Sequence, residues 1–281
     1  LLDHEIESYE SSTGTLVAWV RLPSVNPGED LVFCLAYGDG KPDRSYVAGV
    51  WAAYEYVWHM SESPESTGTA TIRDSAGHAN GIAKGDMTAD NSIPAIAGQG
   101  LAFDGIDDQI MFSNRLSGNG ESTIGAWVKQ LPDATGLADV VIAFGDHRQN
   151  AARVLASFEP SSGRCKVGFA NNDLRGGALA MGVWTHLVWV WDEATYSSIY
   201  IDGRRVEGPT RHLGANTFGN AGRIGNATIG SADYFLFGAL DEVRVAPVAH
   251  SSAWVLTEYN SQRPGSTFIK SIEVARPDDD H

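Results

Sequence analysis

Apolar and polar residues alternate along most of this chain, and the alternation is that of strands. In residues 15–22, Leu16, Ala18, Val20 and Leu22 fall on one side, with Val17, Trp19 and Arg21 on the other. That period of two is the signature of a pleated strand. Pro23, Asn26, Pro27 and Gly28 then make a turn. Residues 31–37 read as a second strand, closed by Gly38-Asp39-Gly40-Lys41-Pro42, and residues 5–9 as an earlier one. A new aromatic series starts at Tyr54 and runs to about residue 262. Its strands recur at intervals of roughly 8 to 15 residues, separated by Gly, Asn, Asp, Ser and Pro clusters. The clearest are 100–103, 109–113, 123–129, 140–144, 154–158, 166–170, 185–191, 198–201 and 240–246. Many short strands with regular turn signals predict an antiparallel sandwich.

Two local signals sharpen this picture. Asp202-Gly203 stands between residues 199–201 and 204–206, as expected of a tight hairpin whose two central residues need positive φ. Ser251 or Ser252 can cap a helix that continues through Ala253 to Tyr259 and stops at Arg263-Pro264-Gly265. Residues 267–274 read as a last strand, and residues 276–281 as an acidic tail or linker.

Composition narrows the function. With 281 residues, of which 43% are hydrophobic, the chain can bury one large core, or one large and one small. A net charge of −15 and no basic stripe exclude nucleic acid as the expected partner and argue against contact of this segment with an anionic membrane. No apolar run reaches the ~18 residues of a membrane span. Cys34 and Cys165 lie in apolar runs and read as small buried hydrophobes, a single long-range bridge being the alternative. The chain opens Leu1-Leu2-Asp3-His4 without Met, as expected of a piece of a longer polypeptide.

Six stretches occur in an order that is informative together. They are Val57 to Glu62, Asp74 to Gly81, Gly98 to Asp108, Thr123 to Val128, Trp184 to Val188 leading into Ile199 to Gly203, and Gly238 to Val245. Over about 200 residues they resemble the bacterial laminin-G-like domains of the concanavalin A-like lectin/glucanase superfamily. Residues 1–53 resemble part of a β-domain of unknown function that precedes such domains in bacterial surface and envelope proteins. Leu2 to Glu7, Ala18-Trp19-Val20 and Ala36-Tyr37-Gly38 carry that likeness. Some proteins with this pairing continue into a membrane proton-channel subunit of the TolQ/ExbB type. The resemblance implies an all-β, concanavalin A-like jelly-roll sandwich over residues 54–275, with a small N-terminal β-domain or fragment over 1–53. It also implies a periplasmic, cell-surface or extracellular location.

Candidate chemistry comes from acids and from loops. In residues 240–246, alternation puts Asp241 on the side of Val243 and Val245, where a carboxylate must be hydrogen-bonded, paired or metal-bound. In related sandwiches an acid at this place holds a structural Ca²⁺. Calcium takes six to eight oxygens, and the expected further donors are Asp74, Glu62, carbonyls near Gly105, and Asp107 from the Asp104, Asp107, Asp108 cluster. The competing readings are an Asp241 bonded to backbone amides and an acid cluster that builds a turn. His186 reads as a hydrogen-bonded core histidine, and Trp58, Trp127, Trp184, Trp189 and Trp191 as core. A binding rim is expected on three loops carrying Arg148 and Asn150, Asn172, Asp173 and Arg175, and Tyr234. They mix the amide, charged and aromatic groups that a glycan needs, although ordinary loops are made of the same residues.

The Glu-x-Asp-x-x-Glu strand of this superfamily's hydrolases is absent, as are nucleophile-elbow, zinc-protease and phosphate-loop motifs. The expectation is therefore a non-catalytic binding or adhesion module for carbohydrate or a surface protein, stabilised by calcium. The alternatives are a structural or assembly domain of a cell-envelope complex, and a glycoside hydrolase with scattered acids.

Overall fold

The computed structural model describes residues 1–26, 28–35, 45–64, 71–132, 138–145, 153–159, 162–169, 172–192, 196–211, 217–229 and 231–270. An N-terminal hairpin pairs β1 (His4–Glu10) with β2 (Thr15–Val20). A short helix, α1 (Val47–Val50), leads to β3 (Tyr56–Trp58), β4 (Thr71–Ile72), β5 (Gly81–Lys84), β6 (Ser92–Pro94), β7 (Gln99–Asp104) and β8 (Gln109–Ser113). The long central strands follow: β9 (Ser122–Gln130), β10 (Asp139–Phe144), β11 (Arg153–Glu159), β12 (Arg164–Phe169), β13 (Asn172–Gly176) and β14 (Trp184–Trp191). The chain closes with β15 (Tyr196–Ile201), β16 (Arg204–Arg211), β17 (Ala221–Ile224), β18 (Asn226–Ile229), β19 (Ala232–Phe235), β20 (Phe237–Ala246) and α2 (Ser252–Gln262).

The strands make two facing antiparallel sheets, the expected jelly-roll sandwich. The first runs β16-β15-β14-β9-β20-β7-β6, with β3 also on β20; the second runs β13-β12-β11-β10-β17-β8-β5-β4. Alternation aims one face of each inward. Ile124, Ala126, Leu187, Trp189 and Trp191 from the first sheet meet Ile110, Phe112, Ile142, Phe144 and Leu155 from the second. Each fully buried large side chain contributes about 1.5–3 kcal/mol, so this one interior carries most of the stability. Trp58, Trp127, Trp189 and Trp191 are buried as expected, while Trp184 is partly exposed. Packing leaves no room beneath β17: a Cβ on Gly222 would lie 2.2 Å from the Phe112 ring.

The local signals hold. Asp202 (φ 50°) and Gly203 (φ 74°) turn β15 into β16, and the Ser251 hydroxyl accepts a hydrogen bond from the Trp254 amide at the start of α2. Other expectations fail. Residues 31–35 form no strand, and Val32 and Leu35 are exposed; an apolar run without a pairing partner cannot hold a sheet ladder. Residues 267–270 are also irregular, and the rest of that predicted strand lies outside the described residues. Cys165 is buried and Cys34 exposed, and both are free.

Asp74 organises the entry to the sandwich. Its carboxylate accepts the backbone N–H of Val57 (2.8 Å), Ala76 (3.0 Å), His78 (2.8 Å) and Ala79 (2.8 Å). This joins β3 to the 74–79 turn. His186 is buried, but not in the inter-sheet core: it pairs with Trp127 on the opposite face of the first sheet, beside Tyr259 of α2. Its Nδ1 has no hydrogen-bond partner, and burial, with the Arg244 charge, pushes the imidazole down to about 3.

Two predictions follow from these contacts. Asp74→Ala strands four backbone donors and should cost at least ~3 kcal/mol, read from urea denaturation; a loss below ~1 kcal/mol would contradict the role given to Asp74. For His186, the unfolded chain takes up a proton below pH ~6.5 that the folded chain refuses until about pH 3. Its contribution is therefore complete above pH 6.5 and shrinks as the pH falls. Between pH 7 and pH 5 the His186→Leu variant should lose about 2 kcal/mol less than the parent. Equal losses would show that His186 titrates normally in the fold.

Candidate functional site

Pairing across the second sheet defines a face that points away from the core. Ile82 sits opposite Met111, Met111 opposite Arg223, and Arg223 opposite Ala143. The row continues through Val154 and Gly168 to Asp173. Directly opposed residues share a face, and the neighbours Ile110, Ile224, Ile142, Leu155, Val167 and Leu174 all enter the core. A parallel row runs Ala156, Lys166, Arg175.

This face changes character along its length. At the β5–β8 end Ile82 and Met111 are exposed. In the middle, the β18–β19 hairpin covers Val140, Ala143, Val154 and Ala156, and Tyr234 packs half-buried against them. Arg223 donates to the Thr228 hydroxyl (2.8 Å), which donates to Asp233 (2.5 Å). At the β11–β13 end, Arg175 lies 3.3 Å from both Glu159 and Asp173, and Lys166 lies 3.7 Å from Asp173. The guanidinium and carboxylates at the β11–β13 end are the groups that form paired hydrogen bonds with the hydroxyls of a sugar.

Of the expected rim residues, Asp173, Arg175 and Tyr234 lie on this face. Two of the three expected loops are strands, β13 and β19. Asn172 opens β13, and Arg148 and Asn150 lie outside the described residues. Glu159, Lys166 and Arg223 also stand on this face and are not among the residues expected from the sequence. Lys166 was findable, because it stands between the inward-facing Cys165 and Val167.

The expected calcium ligands do not fit one ion. Among the described residues, no three of Asp241, Asp74, Glu62 and Asp107 bring ligand atoms within 4.8 Å of one another. Asp74 is saturated by backbone amides, and Glu62 Oε1 accepts from the Arg73 amide (3.1 Å). Asp241 Oδ2 accepts the Ile96 and Ala97 amides, each at 2.9 Å. Asp107 does lie near Asp86, Asp104 and Asp108. However, Asp104 Oδ1 accepts the Ile106 amide (2.7 Å) and, more distantly, those of Asp107 and Asp108, so the cluster builds its own turn.

Asp241 also faces the other way from the expectation. A β-bulge interrupts pairing between Asp241 and Arg244, and Glu242 has φ 52°. The extra residue resets the alternation. Leu240, Val243 and Val245 enter the core, whereas Asp241 pairs with Trp127 and Arg244 with Gly125 on the outer face. Burial, with the Glu242 charge nearby, pushes the Asp241 carboxyl well above its usual range.

The bulge feeds a buried polar junction that the sequence reading missed. His59 Nδ1 lies 2.8 Å from Glu242 Oε1 and 3.6 Å from Glu7, and its Nε2 lies 3.3 Å from Glu5 Oε2. Trp51, Arg73 and Ser75 donate to Glu5. Arg244 donates to Glu242 (3.0 Å from Nε) and to Glu258 (3.3 Å), and its guanidinium lies over the Trp19 ring at 4.3 Å. Burial opposes the charge on His59, but the three carboxylates outweigh it and hold the imidazole up at about 10. Burial likewise opposes Glu5, yet the hydrogen bonds from His59 and Trp51 hold it down at about 2. Glu7 is pushed up to about 7 by burial and by the neighbouring Glu242.

The fold has many solved relatives. A sialidase from Trypanosoma rangeli, in complex with 2,3-difluorosialic acid, aligns over 82% of this chain with TM-score 0.53 and 15% identity. The same enzyme in complex with sialic acid aligns over 75% of this chain, with TM-score 0.53, 15% identity and 33% of its own length covered. The receptor-binding domain of botulinum neurotoxin D aligns over 75% of this chain and 53% of its own, with TM-score 0.53 and 14% identity. The chain spans about a third of the sialidase, 36% in the first complex, and these identities speak for the fold. No protein with a curated description matches the sequence. The laminin G-type family model matches residues 104–256, more than half of the chain, and the protein belongs to the concanavalin A-like lectin/glucanase superfamily.

Proposed function

We propose that this protein is a non-catalytic, extracytoplasmic glycan-binding module whose ligand lies on the outer face of the second sheet. The observation that carries the reading is the β11–β13 end of that face, where Glu159, Lys166, Asp173 and Arg175 stand together on neighbouring strands, bounded on the β11 side by the hairpin that carries Tyr234. Charged hydrogen-bonding groups held on strands favour preformed recognition. A structural neighbour in complex with sialic acid supports a carbohydrate as the ligand class. Binding here needs no covalent step, and no part of it is routed through calcium.

One observation favours an assembly role beside this one. The N-terminal segment exposes Tyr9, Val32, Phe33 and Leu35, and clustered exposed apolar residues mark protein contacts. No helix of the described residues is long and apolar enough to cross a membrane.

A glycan array probed with the purified chain should give retained sugars. Arg175→Ala should weaken the best of them about tenfold, ~1.4 kcal/mol, with a melting temperature near the parent's. Tyr234→Ala should weaken it similarly while also lowering the melting temperature, because Tyr234 packs on the sheet. A blank array, or variants that bind like the parent, would remove the reading. Recovery in an envelope assembly with a blank array would favour the assembly role, and release of reducing ends would overturn the non-catalytic assignment.

A further inference from the structure

We propose that Glu7, His59 and Glu242 form a site for a divalent transition-metal ion of the zinc class, which clips the N-terminal hairpin to the sandwich. The donors come from β1, from the residue after β3 and from the bulge in β20. One ligand atom from each lies within 4.8 Å of the others.

The spacing suits a small ion. Zinc bonds of about 2.0–2.1 Å in a tetrahedral centre set neighbouring ligand atoms roughly 3.3 Å apart. His59 Nδ1 stands 2.8 Å from Glu242 Oε1 and 3.6 Å from Glu7 Oε2, on either side of that value. An imidazole with carboxylates is a mixed nitrogen and oxygen set, which favours zinc over calcium or magnesium.

The surroundings match what a metal-bound histidine requires. Such a histidine donates its other ring N–H to a carboxylate or carbonyl, which fixes the tautomer. Here His59 Nε2 faces Glu5 Oε2 at 3.3 Å, and Trp51, Arg73 and Ser75 hold Glu5 in turn. Arg244 occupies Glu242 Oε2, which leaves Oε1 turned to His59. Trp19 Nε1 steadies Glu7 Oε2 at 2.7 Å.

Glu7 gives the independent sign of a missing partner. Its side chain is 2% exposed, yet Oε1 is buried with no hydrogen bond. Among the described residues it pairs with no arginine or lysine. Burying an unpaired carboxylate is costly. Among the described residues, Glu7 has only the Trp19 N–H and the His59 imidazole as partners, both at Oε2, and a divalent ion held between the three side chains brings this carboxylate a further positive charge.

The test uses the whole chain, stripped with EDTA and titrated with ZnCl₂ by calorimetry, with CaCl₂ in parallel. The expected result is one zinc per chain at micromolar affinity or tighter, with calcium at least tenfold weaker. Glu7→Gln keeps the shape and the Trp19 contact but removes the charge, so it should weaken zinc at least tenfold while the metal-free protein melts near the parent. His59→Gln should weaken zinc likewise, with a lower melting temperature even without metal, because it leaves three buried carboxylates short of a cation. Saturating zinc should also slow tryptic cleavage after the exposed Arg21 several-fold in the parent and not in Glu7→Gln. No zinc uptake, uptake that both variants preserve, or unchanged cleavage at saturation would each overturn the proposal.

Discussion

A single extra residue in β20 sets both faces of the first sheet. Were the alternation of residues 240–246 unbroken, Asp241, Val243 and Val245 would share the core side, placing a carboxylate in the apolar interior. The bulge at Glu242 shifts the phase by one, so apolar side chains enter the core on both sides of it and the charged ones leave. A non-glycine residue at positive φ is disfavoured by about 1–2 kcal/mol. The Glu242 contacts to His59 and Arg244 offset that cost. The strand is thus held in register by the chemistry at the junction, and the junction is aimed by the strand.

The two sheets use their outer faces differently because they are covered differently. Over the first, α2 buries Val188, Val190 and Tyr200 through Val255, and the hairpin closes over Glu242 and Arg244. Over the second, among the described residues, only the β18–β19 hairpin lies across the middle, and Ile82 and Met111 stay exposed. Charged groups collect at its β11–β13 end, where Lys166, Asp173 and Arg175 are carried by strands and not by loops.

Much of this was legible in the residues. Alternation placed the long strands, Asp202-Gly203 the hairpin and Ser251 the helix start, because each is a local choice of backbone conformation. Asp173, Arg175 and Tyr234, expected on loops, are carried by the strands β13 and β19. What escaped was non-local. Residues 31–35 look like a strand, yet strand formation needs a partner that composition cannot reveal. The bulge at Glu242 has no glycine to announce it. The junction joins Glu7, His59 and Glu242 across most of the chain, and no spacing rule spans that distance. Asp241, Asp74, Glu62 and Asp107 do not gather in one place, because an acid at a turn answers equally to an ion or to backbone amides, and Asp74 and Asp104 answer to amides.

The junction matters most where the N-terminal hairpin meets the sandwich. An isolated two-stranded hairpin is marginal in water, and β1–β2 exposes Tyr9 and Leu16 on one flank. Its stability comes from the other flank, where Trp19 stacks on His59 and, with Trp51, packs against Arg244 and Val57. Most of these contacts are charged groups taken out of water, and such groups stabilise only when every partner is in place. The hairpin is thereby tied through His59 and Glu242 to β20, which pairs with β9 and β7 in the heart of the first sheet.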